Sequence, residues 1–198
     1  MFNFLKSAFT NTTTSSEPEA LVEELARQQV RSYPFDLKNF TAGVKFQNAD
    51  PQTQRNIVMA MLAWLAKHPL KLYPQNPSDQ KAWQVGWQMR EAFLQMLKRK
   101  IPFNEQELIA MLNWSADQSS GPLYAYLRGV PQMIKIVGDY LKNNRMSNEL
   151  AKAVEKLVQS IESDRMSVEN RRWVLRLKEL MGDTEIHLPL VAGDIWAD

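Results

Sequence analysis

The chain has no cysteine, only two histidines and only seven glycines in 198 residues. Without cysteine it can form no disulfide, thiolate metal site or cysteine nucleophile, and the composition fits a reducing compartment. The two histidines, His68 and His187, lie far apart, and no His/Asp/Glu grouping has metal-ligand spacing, so no zinc site is expected. The glycines, at positions 43, 86, 121, 129, 138, 182 and 193, are scattered and build no phosphate-cradling loop; there is no Gly-x-Ser-x-Gly elbow either. The longest charge-free apolar run, Asn56 to Ala66, falls far short of the roughly 20 residues a membrane span needs. Met1-Phe2-Asn3-Phe4-Leu5-Lys6 lacks the basic start and sustained apolar run of a secretory signal, so the cytoplasm is the expected compartment. A net charge of +2 is too small to demand a nucleic-acid or anionic-membrane partner. Residues 1–100 carry thirteen Lys/Arg against eight Asp/Glu and the rest eleven against fourteen, a mild asymmetry that assigns no function.

What the chain does have is ten prolines, nearly all at seams between apolar runs of helical spacing. Proline fits the first turn of a helix and is expelled from helix interiors. Pro18, Pro51, Pro122 and Pro131 read as first-turn prolines, and Pro34, Pro69, Pro74, Pro77, Pro102 and Pro189 as connections. The pattern predicts an all-α array of about eight short helices in antiparallel pairs, either α-solenoid-like or an irregular bundle. Residues 16–182 are expected to form the helical domain. Residues 1–15 read as a short helix with a polar tether, and residues 183–198 as an extended tail that starts a further helix at Gly193-Asp194-Ile195-Trp196. That unfinished helix suggests a piece of a longer protein.

Several boundaries follow from local chemistry. A helix from Ser16 or Glu17 is expected to reach about Arg31. Asp36 should cap a short helix that Gly43 stops near Ala42. Asp50-Pro51 opens a helix to about Lys67 that is apolar nearly all round and is therefore expected to be the central buried element. Ser78 reads as the cap of the next helix, to about Arg99, whose apolar face covers about half its circumference. Asn104 and Glu107 have capping-box spacing, with Phe103 placed as a staple against Leu108. Ser147 and Ser167 cap two more helices, the first one-sided and the second ending at Gly182.

Short-turned helix pairs with wide-faced inner helices and one-sided outer ones, clearest over residues 104–182, resemble HEAT- or armadillo-type helical repeats. The final segment Ala192-Gly193-Asp194-Ile195-Trp196-Ala197-Asp198 is loosely similar to N-terminal helical regions of large proteins of unknown function. Neither resemblance implies a catalytic residue.

No catalytic residue, cofactor or metal ligand is assigned. His68 reads as a helix C-cap. The carboxylate pairs Glu23/Glu24 and Glu105/Glu107 lie at helix starts, where capping and the dipole account for them. Lys98-Arg99-Lys100 closes a helix, where cations are favoured whatever their function. Arg165, Arg171, Arg172, Arg176 and Lys178 surround Trp173, with Glu169 and Glu179 at pairing distance from Arg172 and Arg176. Trp64, Trp83, Trp87 and Trp173 fall on apolar faces and read as core, leaving Trp114 and Trp196 as candidate partner contacts. The leading expectation is a protein-interaction or scaffolding module within a larger protein. Its candidate contacts are Trp114, Trp196, Lys98, Arg99, Lys100, Arg171, Arg172 and Arg176. The first alternative is a nucleic-acid-binding domain using the basic clusters, and the second is an enzyme of unrecognised type.

Overall fold

The computed structural model describes residues 16–28, 35–70, 76–118, 128–163 and 168–182. Eight α-helices and one 3-10 turn run through them, and no strand occurs among the described residues. In order they are α1 (Ser16–Arg27), the 3-10 turn (Leu37–Asn39), α2 (Thr41–Asn48), α3 (Pro51–Lys67) and α4 (Pro77–Leu97). Then follow α5 (Glu105–Asp117), α6 (Val130–Leu141), α7 (Asn148–Glu162) and α8 (Val168–Leu180). The proposed helices at residues 1–9 and after Pro122, the cap at Ser167 and the tail with His187 and Trp196 lie outside the described residues.

Helix starts follow local chemistry. Asp50 accepts from the Gln52 and Thr53 amides at 2.9 and 3.1 Å, with Pro51 in the first turn. Asn104 and Glu107 form a reciprocal capping box at 3.0 and 2.8 Å, and Phe103 and Leu108 are both buried. Ser147 Oγ accepts from the Leu150 amide at 3.1 Å. Two expected boundaries are corrected. The cap of α4 is Asn76, not Ser78: its side chain accepts from the Asp79 amide at 2.9 Å, which makes Pro77 a first-turn proline. And α1 ends at Arg27, short of Arg31, because the buried Gln88 amide of α4 takes the Leu25 and Gln28 carbonyls at 3.0 and 2.7 Å.

Gly43 is a third correction. It does not stop a helix; it lies buried inside α2, after Asp36 has capped only the 3-10 turn. There α2 packs so closely on that turn that a Cβ at residue 43 would collide with the Leu37 carbonyl oxygen. Glycine is required here by contact.

One continuous core extends from Val22 on α1 to Leu177 on α8. Helices α1, α3, α5 and α7 lie side by side in that order, while α6 touches α5 and α8, and α8 touches α7. In α3, Ile57 through Leu62 are all buried. Six consecutive residues exceed one helical turn, so this stretch is covered on every side, as its sequence predicts. Helix α7 buries Leu150, Val154, Leu157, Val158 and Ile161 on one face and exposes Lys152, Glu155 and Gln159 on the other. Among the described residues no helix is long and apolar enough to cross a membrane.

A candidate basic cleft and a buried polar frame

The C-terminal end of α4 exposes Lys98, Arg99 and Lys100, where the negative pole of the helix favours cations. Opposite stands the 3-10 turn, tied to α4 by Gln95. Its side-chain oxygen accepts from the Leu37 amide at 2.8 Å, and its side-chain nitrogen donates to the Phe35 carbonyl at 2.8 Å. Helix α2 closes the third side, locked onto the turn through Gly43. Between these elements lies a cleft of about 490 Å³ lined by Asp36, Leu37, Lys38, Phe46, Gln47, Gln95, Lys98 and Arg99.

Lys38 is exposed on one wall and Lys98 and Arg99 on the other. None of the three has an ion pair among the described residues. Asp36 is occupied in capping, accepting from the Lys38 amide at 3.0 Å. Glu91, two turns before Lys98, is half-buried. Desolvation raises its carboxyl above the ordinary glutamate range, and the Lys98 charge pulls it partly back. Val44, the one large apolar side chain exposed among the described residues, lies one turn before Gln47 on α2.

The other candidate contacts are not gathered there. Arg171 and Arg172 are exposed on α8, and Arg176 pairs with Glu179 at 2.9 Å as its spacing predicts. Lys178 pairs with Glu162 at 2.9 Å. Trp114 is core: it is 6% exposed and meets Phe93 edge-on with ring centroids 5.3 Å apart. Trp64, Trp83, Trp87 and Trp173, expected inside, are each only partly buried. His68 caps α3 as expected, its Nδ1 2.8 Å from the Trp64 carbonyl and its ring stacked on that indole.

Sequence reasoning missed two buried guanidinium groups at the C-terminal end of α5. Arg90, 2% exposed, donates to the Gly86 carbonyl at 3.1 Å and to the Gln118 side chain at 3.0 Å. Gln118 in turn donates to the Trp114 carbonyl at 3.1 Å. Burial pushes the Arg90 guanidinium down to about 10, so it stays charged at neutral pH. Arg128, also 2% exposed, donates to the Ser115 carbonyl at 2.9 Å and to Ser160 Oγ at 2.6 Å; Ser160 donates to the Ala116 carbonyl at 2.8 Å. The last carbonyls of a helix have no intrahelical partner and carry its negative pole. Arg128 supplies such a partner to Ser115, while Arg90 holds the Gly86 carbonyl within α4 and reaches the end of α5 through the Gln118 side chain. These groups are committed to backbone, and they build a frame.

Among the described residues no three His, Asp or Glu side chains cluster in a way that could hold a metal ion. No protein-family model, curated protein or solved structure matches the chain.

Proposed function

We propose that this helical body is a protein-interaction module and that the cleft between α2, the 3-10 turn and α4 is its contact face. The observation that carries the reading is the convergence of Lys38, Lys98 and Arg99, three exposed cations without ion pairs among the described residues, on one concave surface. Lys45, Arg55, Lys142, Lys156, Arg176 and Lys178 are paired with carboxylates, and Arg90 and Arg128 hold helix carbonyls. Lys81, Lys152, Arg171 and Arg172 are also exposed without an ion pair among the described residues, so it is the shared concave surface that sets Lys38, Lys98 and Arg99 apart. A cation left unpaired beside a cleft keeps its charge for an anionic partner. The module would serve a larger cytoplasmic protein, in keeping with the cysteine-free composition.

Site-specific photocross-linking in living cells tests this. A benzophenone amino acid replaces Gln47 at the cleft in one variant and Gln159 on the outer face of α7 in another. Polypeptide adducts at position 47 and none at 159 are expected. Nuclease-sensitive adducts at 47 would favour the nucleic-acid reading, which draws on the same cations, and equal labelling at both positions would remove the cleft from the account.

A further inference from the structure

We propose that the cleft takes an acidic polypeptide segment, with carboxylates held between Lys38 on one wall and Lys98 and Arg99 on the other and an apolar side chain set against Val44. This rests on the interaction-module reading and names the chemistry of the partner. The charges decide the sign. Three cations face one another across about 490 Å³, and the one carboxylate among the described lining residues, Asp36, is held by the Lys38 amide. Glu91 offsets part of the Lys98 charge from the α4 side. A ligand that spans the cleft meets cations from both walls, which a ligand on a single helix end would not.

Two features favour a peptide over a nucleic acid. Single-stranded nucleic acids gain affinity by stacking bases on accessible aromatic rings. The aromatic side chain lining this cleft, Phe46, is fully covered, at 0% exposure. Val44, by contrast, is 45% exposed one turn along α2 from the cleft-lining Gln47, and it offers apolar area that a neighbouring leucine can cover and a phosphate chain cannot. The rigidity of the walls also matters. Gln95 fixes the Lys38 wall to the helix that carries Lys98 and Arg99, so the cations need little reordering on binding.

Fluorescence anisotropy on the full chain tests the assignment with four labelled probes. These are Gly-Glu-Asp-Leu-Glu-Asp-Gly, its Gln/Asn counterpart, its serine-for-leucine counterpart, and a short oligothymidylate. The acidic leucine peptide is expected to bind about tenfold or more tighter than the amide version, and to weaken as salt shortens the reach of the charges. Lys38→Glu and the pair Lys98→Glu with Arg99→Glu should each lower its affinity about tenfold, and Lys152→Glu on α7 should leave it unchanged. Val44→Ser should weaken the leucine peptide and not the serine one. All these positions are exposed, and matching thermal melts would establish that the variants are folded. Equal binding of the amide peptide, tighter binding of oligothymidylate, indifference to the cleft substitutions, or no saturable binding would each overturn the proposal. Protein adducts at position 47 together with any of these results would leave the module reading standing and remove only the acidic partner.

Discussion

Gln88 and Gln95 stand two turns apart on α4, and each holds backbone from a different segment with its side-chain amide. Gln88 takes the carbonyls that end α1, and Gln95 bridges Phe35 and Leu37 at the start of the 3-10 turn. One helix therefore fixes both the end of α1 and the beginning of the cleft wall. Removing a buried partner strands the groups it satisfied, so Gln88→Leu should cost about 1–3 kcal/mol in urea unfolding. Gln88→Glu should cost more at neutral pH than in mild acid. A carboxylate facing two carbonyl oxygens cannot donate, while its protonated form can donate to one. A loss that did not change with pH would mean that the amide hydrogens are not what hold the end of α1.

Gly43 and Gly138 separate close approach from ordinary helix propensity. A methyl group at residue 43 would collide with the Leu37 carbonyl, whereas at residue 138 its nearest neighbour is Leu180 Cδ2 at 3.7 Å. Gly43→Ala should destabilise by about 1–3 kcal/mol, the usual cost of overpacking. Gly138→Ala, inside α6 with room for the methyl, should be neutral or stabilise by up to about 1 kcal/mol. Thermal melts of the two variants check this, and loss at both positions would count against the tight α2 contact as the cause.

Features set within one turn of chain were legible in the sequence. The caps at Asp50, Asn104 and Ser147 and the His68 cap each depend on neighbours a few residues away, and each is found where spacing puts it. The burial of α3 was legible too, because a helix without a polar face has one physical solution. What failed depended on distant chain. Gly43 looks like a stop until the Leu37 carbonyl is brought against it, and α1 ends where Gln88 reaches it. Trp114 departs from expectation for the same reason: its face of α5 is covered by α4 through Phe93, which periodicity within α5 cannot reveal. Half of the cleft was visible as Lys98-Arg99-Lys100. The other half, Lys38, arrives only because Gln95 ties the 3-10 turn to α4.

Leu62 and Leu65 should dominate stability over the outer face of α7. Both leucines are buried, at 2% and 0% exposure, and truncation to alanine should cost about 2–5 kcal/mol each. Lys152→Ala and Gln159→Ala, at exposed positions, should stay within about 0.5 kcal/mol. Comparable losses at all four positions in urea would mean that α3 is not the central helix.

Glu91 links stability to pH through the cleft. Its carboxyl is raised by desolvation, so the native state holds its proton more tightly than the unfolded chain does. The stability this contributes is present in acid and is lost as pH rises through the range just above the ordinary glutamate value. Glu91→Gln should therefore stabilise the fold more at pH 7 than at pH 3. Lys98→Gln removes the charge that holds this carboxyl down, and should move the pH-dependent loss to higher pH. Parallel unfolding series at both pH values decide the matter, and an unchanged pH dependence in Lys98→Gln would show that Lys98 does not act on Glu91.

Arg90 gives the sharpest test of the buried frame. Its guanidinium is 2% exposed and is held by a carbonyl and an amide, with no carboxylate partner among the described residues. A buried charge is costly to desolvate, and removing one element of such a site leaves its partners stranded. Arg90→Ala loses the hydrogen bonds and opens a cavity, so it should rank among the most destabilising single changes, at about 3 kcal/mol or more. Arg90→Met fills most of the same volume and removes the desolvated charge, so it should cost less than half as much. Gln118, freed from Arg90, can still bond the Trp114 carbonyl, and that limits what methionine leaves unsatisfied. If methionine proves as damaging as alanine, the hydrogen bonds and charge of Arg90 contribute more than the packing around it. Arg90 would then be acting by holding the Gly86 carbonyl and the Gln118 cap rather than by filling space.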